Sequence, residues 1–344
     1  MSESVMKICV IGAGAIGGYV GAKLALAGEE VTLVARGPNL EAIRKSGMRL
    51  ISDGVEYVAR NVKAVSKLAE AGPQDLVILG MKAHQVSAIV DDLPALLHAD
   101  TVIIPMQNGI PWWYFQNMPA TMPAEYAHRV VESVDPGGVL ARAIDPARLL
   151  GCVVYPACEL AAPGVVRHIE GTRFPLGELD GSKTERVVRI TAAFERAGLK
   201  SPVLDDVRAE MWLKLWGNLT FNPLSALTHS TLVDICQFPL TRGLAADMMR
   251  EAQAVAGRFG ITFRVDLERR IAGAEKVGKH KTSMLQDVEA GRDPEIDALV
   301  GAVIELGRVV GVPTPHIETV FALVKLLGRT IQEDRVSIRA QRVG

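Results

Sequence analysis

Lys7-Ile8-Cys9-Val10-Ile11-Gly12-Ala13-Gly14-Ala15-Ile16-Gly17, with the helix-like stretch to Ala27 and the run Glu30-Val31-Thr32-Leu33-Val34-Ala35 behind it, decides how the chain is read. A short β-branched run enters a glycine-rich turn, a helix follows, Gly28 can end it, and a second β-branched run begins. Outward from there the alternation continues. Asp75-Leu76-Val77-Ile78-Leu79-Gly80-Met81 and Thr101-Val102-Ile103-Ile104-Pro105-Met106 are apolar almost throughout, as strands covered on both faces must be. The stretch 84–97 between them reads as a crossover helix. Strand and helix in alternation imply a doubly wound parallel sheet with right-handed crossovers.

Beyond residue 150 the pattern changes twice. The segments 151–160, 164–171 and 172–179 are strand-like and are expected to extend the first sheet. Residues 182–198 read as an amphipathic helix, and after about residue 205 the periodicity is helical almost to the end. At 344 residues the chain suits two domains of roughly 150–190 residues each. The boundaries expected are 1–200 for a Rossmann-type α/β domain and 201–344 for an all-α domain. The basic tail 335–344 lacks apolar periodicity and is read as a frayed end.

Composition removes several classes of function. A formal net charge of −1 creates no global field for nucleic acid or anionic lipid, and an aromatic content of 5% is low for a protein that stacks bases. Cys9, Cys152, Cys158 and Cys236 show no CxxC spacing, so neither a disulfide framework nor a metal site is expected. The first residues lack the basic and long apolar regions of a secretory signal, and no stretch has the eighteen consecutive apolar residues of a membrane span. A cytoplasmic protein is expected. The apolar surface of the helical half suits an internal core or a homodimer interface, and the sequence leaves both open.

Residues Gly12, Ala13, Gly14, Ala15, Ile16 and Gly17 form a GxGxxG loop in the strand-to-helix context that a dinucleotide requires. Gly12 permits the tight turn, Gly14 lets backbone approach a pyrophosphate, and Gly17 allows close helix–sheet contact. The second strand ends at Arg36, where NAD-binding versions carry a carboxylate for the ribose 2′-OH. A guanidinium there favours a 2′-phosphate, so the cofactor expected is NADP(H). Two further loops lie at strand carboxyl ends. One carries Lys82 and the other Asn108, each in reach of a cofactor or a substrate carboxylate or equally an ordinary turn residue.

In the helical half, Lys214, Asn218 and Asn222 recur every four residues and so share one helix face, with a drift of about 40° per step. One cation and two amides in an otherwise apolar helix go against propensity and point to a site. Ser283 has a hydroxyl able to bind a carboxylate. Glu295 follows Pro294 at a helix opening, a position where a carboxylate also serves the helix dipole.

Taken with Met81-Lys82-Ala83-His84-Gln85, Gln107-Asn108-Gly109, the stretch 214–227 and residues 283–297, the chain resembles the ketopantoate reductase (2-dehydropantoate 2-reductase) family from Lys7 to about Leu327. The resemblance implies a Rossmann domain followed by a C-terminal domain of 6-phosphogluconate-dehydrogenase-like architecture. It implies NADPH-dependent reduction of a small 2-oxo acid in pantothenate biosynthesis. Lys214 would be the general acid, with Glu295 positioning substrate and lysine. Asn218, Asn222 and Ser283 would hold the substrate, and Lys82 and Asn108 would lie beside nicotinamide and substrate. One departure is the bulky run Ile110-Pro111-Trp112-Trp113-Tyr114-Phe115, where the family continues with a glycine-rich turn; it either reshapes the substrate pocket or packs in the core. A reductase of another 2-oxo acid, a β-hydroxyacid dehydrogenase and a non-catalytic NADP-sensing regulator are the competing readings.

Overall fold

The computed structural model describes residues 5–341. They form two compact units. The first comprises residues 5–107, 116–119 and 139–207, the second residues 108–115, 120–138 and 208–341. Where the sequence reading places one cut at 200/201, the fold changes hands at Val207/Arg208. It also assigns most of 108–138 to the helical unit.

The first unit runs β1 (Lys7–Ile11), α1 (Ala15–Leu26), β2 (Glu30–Val34), α2 (Gly37–Ser46), β3 (Met48–Ser52), β4 (Val55–Ala59), β5 (Lys63–Val65), β6 (Leu76–Leu79) and β7 (Val102–Pro105). It resumes with α3 (Val139–Ala143), β8 (Leu150–Cys152), β9 (Ala157–Ala162), β10 (Val165–Glu170), β11 (Leu176–Glu178) and α4 (Glu185–Arg196). Strands β5-β2-β1-β6-β7 make an all-parallel sheet. Every residue of β6 and β7 is buried, as strands covered on both faces require. The chain leaves β1 in one direction, through β2 to β5, and returns on its other side at β6. The carboxyl end of β1 is therefore the switch point where ligands of such sheets collect. The crossover from β6 to β7 is a 3₁₀ helix, Ala83–Leu96, with Val86, Ile89, Leu93 and Leu96 buried and Pro94 inside it.

The middle strands depart from expectation. β9 and β10 do not extend the parallel sheet; they join β3 and β4 in a separate sheet of order β4-β3-β10-β9. Its starting hairpin turns at Asp53 (φ 52°) and Gly54 (φ 77°), the doubly positive turn that matches strand twist. This sheet covers α1, and Gly18 makes room for it: a Cβ there would meet Met48 Cε at 2.4 Å and Val166 Cγ2 at 2.9 Å. β8 adjoins the parallel sheet, through a bridge from Leu149, the residue before it, to Ile103, with β11 antiparallel beside β8.

The second unit is helical: α5 (Val207–Thr228, entering it at Arg208), α6 (Leu232–Gln237), α7 (Pro239–Arg258), α8 (Leu267–Lys276), α9 (Ser283–Glu289), a π-helical turn (Asp297–Gly301), α10 (Ala302–Val310) and α11 (Pro315–Glu333). The Trp-Trp-Tyr-Phe run packs in its core. Trp112, Trp113, Tyr114 and Phe115 are all buried, Tyr114 and Phe115 against Phe259, and the Tyr114 hydroxyl accepts from the Trp212 indole. Arg208, 1% exposed, donates to the Tyr114 carbonyl and lies 5.5 Å from the Trp113 ring centroid. The tail is more ordered than a frayed end. Ile338 N–H donates to the Val288 carbonyl and the Arg339 Nε to the Glu289 carbonyl, while 342–344 lie outside the described residues.

Candidate active site

In the first unit, each glycine of the 12–17 loop meets a different constraint. Gly12 has φ 97°, and a Cβ there would sit 3.0 Å from the Met81 nitrogen. A Cβ on Gly17 would come within 2.1 Å of the Gly12 carbonyl oxygen. On Gly14 it would meet nothing within 4 Å, so the middle glycine faces open space at the N-terminus of α1. Two are glycine for packing and one for access, which fits a pyrophosphate set on helix N–H groups. Ala13, Ala15 and Ile16 form the rest of the loop, and Ala13 and Gly12 N–H groups both donate to the Val34 carbonyl.

Sequence reasoning missed two supports of this loop. Gly80 closes it from β6, where a Cβ would lie 2.9 Å from the Gly17 Cα; the only hint was a glycine ending an apolar run. Asn39 donates to the Ala13 carbonyl at 2.7 Å and accepts from the Gly164 N–H at 2.7 Å, a tie that no local pattern announces. Arg36 is the exposed residue just before α2. Lys82 is partly buried at the start of the 3₁₀ crossover, where its N–H donates to the Gln85 side chain at 3.2 Å.

In the second unit, α5 carries Lys214 and Asn218, both partly buried, and Asn222, 7% exposed. The Lys214 ammonium donates to Asn108 Oδ1 at 2.5 Å. Asn108 was read with the cofactor loop; the fold places it in the helical unit and against the lysine. The loop is held by Gly109, φ 90°, whose hypothetical Cβ would lie 2.2 Å from the Ala298 carbonyl oxygen, and by the Ile110 N–H donating to that oxygen at 2.9 Å. Ala298 lies in the π-helical turn that opens two residues after Glu295, a rare geometry that concentrates at functional sites. Lys214 and Asn108 therefore meet directly, and the turn following Glu295 is pinned to the same loop. Ser283 is the exposed first residue of α9, and among the described residues no hydrogen bond ties it to the stripe on α5. Another group went unread. Arg270 of α8 lies against Gly217, where a Cβ would be 2.0 Å from its Nη2, so a guanidinium rests on α5 less than one turn beyond Lys214.

An ammonium fixed by an amide can stabilise and protonate a carbonyl oxygen that gains negative charge. The first unit separately carries a glycine cradle of the dinucleotide-binding kind, and the two features are those of an oxidoreductase. The chain belongs to the ketopantoate reductase PanE/ApbA family, whose model matches residues 8–181 and whose C-terminal model matches residues 206–328. It is 53% identical to the 2-dehydropantoate 2-reductase of Mesorhizobium japonicum, covering 94% of this chain and 98% of that one. The 2-dehydropantoate 2-reductase of Pyrococcus horikoshii is 30% identical over 93% of this chain and 97% of its own length. A solved structure from Ralstonia solanacearum MolK2 superposes with a TM-score of 0.90 at 40% identity, covering 96% of this chain and 99% of that one. Among the described residues no helix is long and apolar enough to cross a membrane.

Proposed function

We propose that the protein reduces 2-dehydropantoate to pantoate with NADPH, the reaction named for its relatives in Mesorhizobium and Pyrococcus and a step toward pantothenate. The observation that carries this reading is the 2.5 Å contact between the Lys214 ammonium and Asn108 Oδ1, on a helix whose next two turns present Asn218 and Asn222. A bound dinucleotide supplies the hydride. The chain's own groups do the rest. Gly12 to Gly17 receive the pyrophosphate, with Gly14 leaving the approach open. Arg36, exposed at the end of the second strand, selects the 2′-phosphate. Lys82 serves the nicotinamide end.

Lys214 holds a proton on Nζ and passes it to the C2 carbonyl oxygen as hydride reaches C2; the lysine then regains a proton from water. Because Asn108 accepts through Oδ1, its Nδ2 hydrogens point elsewhere and can donate to a substrate or ribose oxygen. Asn218 and Asn222 hold the hydroxyl or carboxylate of the acid, Ser283 holds the carboxylate, and Glu295 positions substrate and lysine.

The test is NADPH oxidation followed at 340 nm with 2-dehydropantoate and with a panel of other 2-oxo acids, for the native chain and Lys214→Ala. Turnover of 2-dehydropantoate in preference to the panel, lowered by about 10²–10⁴ in kcat by the substitution, supports the reading. Turnover of a bulkier 2-oxo acid alone reassigns the substrate and keeps the chemistry. NADPH binding without turnover of any acid sinks the catalytic reading.

A further inference from the structure

Gly217 stands in the interior of α5, three residues beyond Lys214, with no positive φ to call for a glycine. A glycine there weakens a helix relative to alanine, so its presence needs another cause. Gly243, Gly257 and Gly273 also lie in helices of this unit, and a Cβ on any of them would meet nothing within 4 Å. At Gly217 the space is taken: Nη2 and Cζ of Arg270 lie 2.0 Å and 2.9 Å from where a Cβ would be. The helix is bare at that position, and a guanidinium fills it.

The approach to α8 sets that guanidinium down. Phe263 packs on Trp216 with ring centroids 4.3 Å apart, and Arg264 pairs with the buried Glu210 at 2.8 Å. Asp266 then caps α8 by accepting from the Arg269 N–H, and Arg270 follows. Contacts at Glu210, Trp216 and Gly217 thus dock the stretch 263–270 along α5, before and after Lys214. Residues three apart are neighbours on a helix surface, about 60° round the axis and about 4.5 Å along it. The guanidinium in the Gly217 side-chain position is therefore a neighbour of Lys214 on α5, and both side chains are only partly buried.

Two neighbouring cations favour an anion. A 2-oxo acid has its carboxylate bonded to the carbonyl carbon that is reduced, so its charge and the oxygen to be protonated are side by side. A guanidinium has five N–H groups in a fixed fork, enough to be steadied by the fold and still present a pair to a carboxylate. The Ser283 hydroxyl supplies a hydrogen bond and no charge. Resting on the 2-oxo acid reading above, we propose that Arg270 binds the substrate carboxylate and makes the enzyme specific for an acid, while Lys214 serves the adjoining carbonyl oxygen.

The experiment compares kcat/KM for 2-dehydropantoate with that for its lactone, which keeps the carbonyl and lacks the charge. In Arg270→Met, long but uncharged, the acid-to-lactone ratio is expected to fall about 10–100-fold, the factor for one charge-assisted contact, with the loss in KM rather than kcat. Arg270→Lys, which restores the charge without the fork, should recover part of it. Gly217→Ala keeps every charge in the chain and favours the helix, but its methyl displaces the guanidinium, so the ratio should fall there too. That variant carries the test if Arg270→Met does not fold. A ratio unchanged in both variants, or acid and lactone lost in equal measure, overturns the assignment and leaves Arg270 a brace between α5 and α8. A native protein inactive on every 2-oxo acid of the panel would overturn the reductase reading along with it.

Discussion

At the scale of single residues, the glycine loop separates two demands that one motif usually conflates. Gly14→Ala adds a methyl group where nothing lies within 4 Å, so folding stability should hold while NADPH affinity drops about tenfold or more, because the methyl occupies the phosphate approach. Gly17→Ala forces a methyl to within 2.1 Å of a backbone oxygen and should cost about 1–3 kcal/mol of stability, read as a lower denaturant midpoint. The same scale governs the thiols. Burial raises the thiol pKa of Cys9 and of Cys158 to about 12, and that of Cys236 to about 11. Burial disfavours the thiolate, so these three should resist alkylation by iodoacetamide at pH 8 in the folded protein and react once it is denatured. Rapid labelling of the native chain would contradict this. Among the described residues no cysteine forms a disulfide that would compete with that readout.

Among elements, the parts legible in the sequence were those set by local pattern. The fingerprint between β1 and α1 and the four-residue recurrence on α5 each report on a single element, and the strand-to-helix turn and the one helix they imply are both present. The second sheet was not read, although Asp53-Gly54 between two β-branched runs is a hairpin signal in its own right. β10 pairs with that hairpin, and β9 with β10, because β3 offers an open edge above α1, a choice made by tertiary packing that periodicity cannot express. The pairing of Lys214 with Asn108 was hidden for the same reason, since 106 residues separate them. Elements also bind irregular chain. On α10, the Glu305 carboxylate accepts from the backbone N–H groups of Glu132 (2.8 Å) and Ser133 (2.7 Å) and from the Ser133 hydroxyl. Glu305→Ala should leave these donors without their partner, lower stability by about 1–3 kcal/mol, and speed amide exchange at 132 and 133. Exchange equal to that of the native chain would show that the segment holds without the carboxylate.

For the whole molecule, a dinucleotide that binds only the folded chain stabilises it in proportion to its affinity. At a hundredfold excess over Kd, NADPH should add about 2.7 kcal/mol and raise Tm by about 4 °C. NADH at equal concentration should do less, and Arg36→Gln should abolish the difference. Equal shifts with the two cofactors in the native protein would remove the 2′-phosphate role from Arg36. Another property follows from the order in which the helical unit is assembled. Its Trp112 to Phe115 run is made early, yet Arg208, Trp212 and Phe259, which enclose it, come roughly 90 to 150 residues later. At a synthesis rate of about 5–20 residues per second, four adjacent aromatic side chains would wait on the order of ten seconds on the ribosome without their native cover. A nascent chain arrested near residue 200 should accordingly be a strong client for a holdase chaperone at 110–115, and release of that client should coincide with emergence of residues 208–260 from the exit tunnel.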